Sequence, residues 1–147
     1  MELTFTVEFK KLDVEASAPI YAHDFDAGCD LESRVDLVLG PGKRELVPTG
    51  IAISIPEGYA GFLQPRSGLA ARHGIGIVNT PGLIDSHYRG EIKVILINHD
   101  REKLFNVRKG DKICQLVFQK VERAEFREVE RLDKTVRGEN GFGSTGV

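Results

Sequence analysis

Four short stretches carry residue types that can hold a phosphate or move a proton. RGENGFGSTGV, Arg137 to Val147, is rich in glycine, as a phosphate-wrapping loop is, because a backbone without Cβ atoms can follow an anion closely. No helix pattern follows it, unlike loops that present a phosphate to a helix start. PRSG, Pro65 to Gly68, puts an arginine and a hydroxyl beside a helix start, where unpaired N–H groups and the helix dipole favour an anion. The same residues also suit an ordinary cap next to a solvated arginine. NTPGLIDSHYRGE, Asn79 to Glu91, sets Asp85 between apolar Ile84 and a polar turn. That position fits a base at a pocket mouth or a plain turn former. Tyr88 offers a flat ring for stacking or for the core. AHDFDAGCDL, Ala22 to Leu31, collects Asp24, Asp26 and Asp30. As a calcium loop it fails, since Gly28 comes too early and the twelfth position from Asp24 is Val35 rather than Glu. An acidic turn built on Ala27 and Gly28 is the other reading.

Cys29, near His23, has neither a helix start nor a basic cluster to activate it, so a small semi-buried thiol is expected. Cys29 and Cys114 are too few for a disulfide framework and too isolated for a zinc site. A chain of 147 residues can bury one core and predicts a single domain. A net charge of -2 gives no sign of nucleic-acid or membrane binding. The start MELTFTVEFKKL alternates apolar and polar residues, unlike a signal peptide or presequence, so a cytoplasmic protein is expected.

The elements that must position these stretches are strands. Leu3, Phe5, Val7 and Phe9 share one face, Ile51, Ile53 and Ile55 another, and Ile92, Val94 and Leu96 a third. In Lys93 to Ile97 and Ile113 to Phe118 the second face also turns apolar, which predicts strands covered on both sides. Turn signals fall at Gly40 to Gly42, Pro56 to Gly58, Asn98 to Asp100 and Lys109 to Asp111. Many short strands without βαβ alternation predict a sandwich, barrel or jelly roll. SGLAARHG, Ser67 to Gly74, predicts the one substantial helix, with Ser67 at its start and Gly74 as its stop. The pattern ends near Asp133, which divides the chain into a β-rich core, 1–132, and a mobile arm, 133–147.

In order, AHDFDAGCDL, PRSGLAARHGI, GLIDSHYRGEI, RKGDKICQLVF and RGENGFGSTG resemble the five motifs of the trimeric dUTPases, and the match runs from residue 22 to 146. The related dCTP deaminases lack the glycine-rich arm and usually carry RSS where this chain has Arg66-Ser67-Gly68. A deaminase and a non-catalytic β module remain the alternatives. The resemblance implies an all-β, jelly-roll-like fold and hydrolysis of dUTP to dUMP and pyrophosphate by water attacking the α-phosphorus. It implies a homotrimer with active sites shared between subunits. By resemblance Asp85 is the base that activates water, while Arg66, Ser67, Gly68, Lys93 and Gln115 bind substrate, chiefly its phosphates. Mg²⁺ bridges the triphosphate, and Asp30 touches it through water. Tyr88 packs under the sugar and excludes a 2'-hydroxyl. Asn79 and the hairpin backbone through Gly82, Leu83 and Ile84 read uracil. The arm closes as a lid, Phe142 stacking on the base while Arg137, Ser144 and Thr145 hold the β- and γ-phosphates and Gly143 also contacts substrate. Asn140 stands where many relatives have glycine, and asparagine accepts a left-handed backbone best of the other residues.

Overall fold

A computed structural model of the chain describes residues 5–146, so Leu3 of the first apolar row lies outside the described residues. Eleven strands and one helix follow in order: β1 Glu8–Lys11, β2 Gly28–Glu32, β3 Leu37–Leu39, β4 Arg44–Pro48, β5 Ile51–Ser54, β6 Tyr59–Gln64, α1 Ser67–His73, β7 Ile75–Ile77, β8 Gly82–Ile84, β9 Lys93–Asn98, β10 Phe105–Val107 and β11 Lys112–Lys120. All pairings among them are antiparallel. One sheet runs β2-β11-β6-β8 and a second β4-β9-β7, flanked by the ribbons β1-β5 and β3-β10. The result is the expected jelly-roll-like all-β architecture.

The two sheets bury one core between them. Leu31, Leu63, Ile84 and Leu116 come from the first, Val47, Ile75, Val94 and Leu96 from the second, with Leu39, Ile51, Ile53 and Val107 from the ribbons. Period two decides these positions: Val94 and Leu96 are fully buried while Lys93 is exposed. The same strand corrects the expectation of two covered faces, because Ile95 and Ile97 are only half-buried within one chain. Likewise Val117 and Phe118 on β11 remain half-exposed.

Three local readings change. β1 begins only at Glu8, and Phe9 is 45% exposed because this edge ribbon lies outside the main sheets. Phe5 precedes the strand and stacks on Tyr59, ring centroids 4.3 Å apart. Asn98 belongs to β9 rather than to a surface turn. Its buried amide donates to Leu39 O at 3.0 Å and Lys103 O at 2.8 Å, and its oxygen accepts Asp100 N–H at 2.9 Å. A polar side chain is tolerated there because each group is paired. The helix is capped by Arg66 without a side-chain bond, so Ser67 is its first residue and not its cap. Gly74 ends it at φ 66°, the left-handed stop that glycine takes without strain.

β11 ends at Lys120, and residues 122–146 form no strand or helix and are exposed apart from half-buried Gly141. Local turns shape this tail: Asn140 N–H donates to Arg137 O at 3.1 Å and Arg137 Nε to Asn140 O at 2.9 Å. The left-handed residues of the tail are Gly138, Phe142, Gly143 and Gly146, not Asn140. Asn140 therefore needs no glycine-like backbone, since its neighbours make the turns.

Candidate active site

The hairpin from β7 to β8 and the loop after it build the first half of the site. β8 pairs with β6 so that Ile84 faces Gly61 and Gly82 faces Leu63. Burial of Gly82 and Ile84 pins the strand, and Asp85 emerges exposed at its end. A pocket of about 410 Å³ opens there, and Asn79, Gly82, Leu83, Ile84, Asp85, Tyr88 and Lys93 all line it. Leu46 and Ile95 supply an apolar wall, and Glu91 adds a second carboxylate. Tyr88 is 47% exposed, so it is a wall of this pocket rather than a core residue. Its N–H donates to Asp85 O at 3.1 Å and its hydroxyl to Glu91 O at 2.9 Å, which fixes carboxylate and ring on one tight loop. Arg89 clasps that loop, donating to Ser86 O at 2.6 Å and Tyr88 O at 3.0 Å.

The second half lies on the outer face of the four-stranded sheet. Asp30 on β2 stands opposite Gln115 on β11, and Gln115 stands opposite Gln64 on β6. Side chains in such a cross-strand row share a face. The next row, Cys29, Leu116 and Leu63, points the other way into the core. Asp30 is 7% exposed, with Arg66 Nε 3.3 Å from one carboxylate oxygen and Lys112 Nζ 3.2 Å from the other. Arg66 also donates to Lys112 O at 3.4 Å. Arg66 is thus held beside a buried carboxylate rather than free in solvent, while Ser67 is exposed one residue further on. Asp24 and Asp26 do not join Asp30. Asp24 is exposed and Asp26 half-buried, and Asp26 accepts the His23 N–H at 2.9 Å in a local turn.

The structure does not bring the two halves together. None of Asp30, Arg66, Ser67, Gly68 and Gln115 lines the Asp85 pocket. Asp85 leaves β8 next to the Ala60 end of β6, whereas Arg66 follows the Gln64 end. At about 3.3 Å per residue, the six steps from Ala60 to Arg66 span roughly 20 Å. The arm residues Arg137, Phe142, Gly143, Ser144 and Thr145 line neither half.

Sequence reading missed Lys112, Glu91 and Arg89. Lys112 reaches Asp30 because a bulge between Lys112 and Cys114 shifts the β2·β11 register, a feature that the residue pattern does not announce. Glu91 carries a buried oxygen, Oε2, without a hydrogen-bond partner among the described residues, and only its place in the pocket draws attention to it. The cysteines behave as expected. Cys29 donates to Leu116 O at 3.4 Å, and burial pushes its thiol up to about 11 and that of Cys114 up to about 12. Neither is a nucleophile near neutral pH.

The molecule is thus an antiparallel β domain that carries a carboxylate–tyrosine pocket and, apart from it, Asp30 held between Arg66 and Lys112. Comparison with known proteins gives its family: the dUTPase family model matches residues 14–146, and the chain belongs to that family. It is 57% identical over 140 residues to the deoxyuridine 5'-triphosphate nucleotidohydrolase of Corynebacterium glutamicum, covering 95% of this chain and 94% of that one. With the Thermobifida fusca enzyme of the same name it shares 55% over 143 residues, 97% of this chain and 80% of that one. Among solved structures, the Staphylococcus bacteriophage 80alpha dUTPase with dUpNHpp superposes with a TM-score of 0.90 at 32% identity, over 98% of this chain and 100% of that one. The chain is a hydrolase, and its reaction is the hydrolysis of dUTP to dUMP and pyrophosphate. No helix among the described residues is long and apolar enough to cross a membrane.

Proposed function

We propose that catalysis takes place between copies of the chain in a homotrimer, with Asp85 and Tyr88 supplied by one copy and Arg66, Ser67, Gly68 and Gln115 by another. The observation that carries this reading is the separation of the two halves at opposite ends of β6. The half-buried Ile95 and Ile97, and Val117 and Phe62 on the outer face of the other sheet, leave apolar surface for neighbouring copies to cover.

Asp85 takes a proton from the water that attacks the α-phosphorus, a role supported by its place at the rim of a pocket lined by Asn79, Gly82, Leu83 and Ile84. Asn79 and the hairpin backbone read the uracil edge, Lys93 adds a positive charge at the pocket rim, and the Tyr88 ring excludes a 2'-hydroxyl. Arg66, Ser67, Gly68 and Gln115 hold the phosphates in line, since phosphoryl transfer needs alignment and neutralised oxygens above all. The residues fit Mg²⁺ held through its waters: no cluster of three metal-ligating side chains forms among the described residues, and the nearly buried Asp30 carboxylate accepts no hydrogen bond at Oδ1, which lies 3.3 Å from Arg66 Nε as an ion pair. Mg²⁺ commonly keeps its waters and binds through one or two carboxylates and substrate phosphates. Asp30 would hold it through water, and the ion would neutralise triphosphate oxygens. Residues 133–147 close over the nucleotide as a lid, with Phe142 on the base and Arg137, Gly143, Ser144 and Thr145 at the phosphates. Two unpaired buried thiols suit a reducing, cytoplasmic location.

The test is pyrophosphate release from dUTP, UTP, dTTP and dCTP by the wild type and by Asp85→Asn. The wild type prefers dUTP by orders of magnitude, and the variant loses roughly 10²-fold or more in kcat with nucleotide affinity kept within a few-fold. Near wild-type turnover by the variant removes Asp85 from the role.

A further inference from the structure

The loop that carries Asp85 and Tyr88 also contains Gly90, to which none of the roles above gives a task. Its backbone does not require a glycine, because its φ lies outside the left-handed region that Gly42, Gly58 and Gly110 occupy. The requirement is for space. A Cβ at Gly90 would stand 2.6 Å from Cζ and 2.9 Å from Cε2 of Tyr88, and closer still to the hydroxyl. Real Cβ atoms do not approach carbon so closely, so the ring would have to leave its present position.

Hydrogen bonds within the loop hold that position. The Tyr88 hydroxyl is tied to Glu91 O at 2.9 Å and its N–H to Asp85 O at 3.1 Å. Arg89 braces the same arc through Ser86 O and Tyr88 O. The hydroxyl end of the ring therefore lies against bare backbone at Gly90, while the residue lines the pocket.

We infer that Gly90 is a positioning residue for substrate selection: its missing Cβ lets the Tyr88 ring lie at the depth that admits a deoxyribose and leaves no room for a 2'-hydroxyl. The inference rests on the reading of Tyr88 as the wall that excludes ribose. It predicts a coupling between two residues, which a purely structural glycine would not show.

Four proteins test it: wild type, Gly90→Ala, Tyr88→Ala and the double variant, each measured for melting temperature and for kcat and KM with dUTP and UTP. Gly90→Ala folds, since the atoms it displaces are the far end of a side chain. It lowers kcat/KM for dUTP by roughly tenfold or more, mainly through KM, and narrows the preference over UTP, because a misplacement of about 1 Å at a reacting site can be worth on the order of 10²-fold. In the Tyr88→Ala background the same change has no further effect, as the atoms it would strike are gone. Equal losses in both backgrounds, or unchanged kinetics for Gly90→Ala, overturn the inference while leaving the role of Tyr88 intact. An unchanged dUTP:UTP preference in Tyr88→Ala overturns that role and the inference with it. Should Gly90→Ala fail to fold while the double variant folds, the collision is established; if both fail, the glycine serves the backbone and the inference is wrong.

Discussion

Two crippled variants should make an active mixture. Arg66→Ala removes a cation from the half proposed to hold phosphates and leaves Asp30 with Lys112 at 3.2 Å, so the fold survives. Asp85→Asn removes the proposed base from the other half. Each alone loses on the order of 10²-fold, the size of general-base assistance and of a preorganised charge contact. If the site joins Asp85 of one copy to Arg66 of the next around a three-fold ring, a site is intact when the first copy is the Arg66→Ala chain and the second the Asp85→Asn chain. In an equal random mixture each condition holds for half the copies, so about one site in four is restored, and activity returns to roughly a quarter of wild type. Co-expression or joint refolding produces the mixed trimers, and pyrophosphate release from dUTP measures them. Preformed trimers combined without exchange stay near one part in 10² and serve as the control. The distance along β6 from the Asp85 end to Arg66, roughly 20 Å, is what makes the outcome sharp. A mixture no more active than its components would mean that one chain supplies both groups, and the intersubunit site would be abandoned.

Two further outcomes follow from the tail and from the core. Truncation after Val136 removes residues that, among those described, are exposed apart from half-buried Gly141, so sedimentation and melting of the ligand-free protein should hardly change while dUTP hydrolysis collapses; dissociation of the proposed trimer would make the segment a strap, and full activity would end the lid reading. Burial raises Cys29 from the ordinary 9.0 to about 11 and Cys114 to about 12, so the native state keeps these protons after an unfolded thiol has lost its own. Their contribution to stability is full below about 9 and is lost as pH rises through the folded values, and melting curves across that alkaline window should fall less steeply for a Cys29→Ala, Cys114→Ala double variant.

Period two was enough to find the strands whose inner faces meet, because Ile51, Ile53, Val94 and Leu96 can be buried only one way. It could not say what lies on the opposite face. Ile95 and Ile97 read as residues covered on both sides, and within one chain they are not. Phe9 failed for a related reason, since an edge ribbon leaves a ring at 45% exposure that an interior strand would hide. Contiguous parts of the site were legible for the reason that contiguous strands are. Asn79 to Tyr88 form one hairpin and loop, so a single motif delivers a whole pocket. Asp30, Lys112 and Gln115 meet only through strand pairing, where a one-residue slip exchanges the faces.

The bulge on β11 shows how much hangs on that register. The register shifts between Lys112 and Cys114, and beyond this step Leu116 falls on the inner face and Gln115 on the outer one. The outer face then carries the polar row of Asp30, Gln115 and Gln64, followed by the apolar row of Gly28, Val117 and Phe62. The first row is polar, and a packed neighbour suits the second. With Val117 and Phe62 left half-buried in the single chain, the sheet offers a binding surface and an assembly surface side by side. A copy that covers the apolar row brings its own side chains to the edge of the polar one. On this argument assembly and substrate binding depend on the same alternation. A substitution such as Val117→Lys should therefore weaken the trimer and nucleotide binding together, although Val117 touches no phosphate.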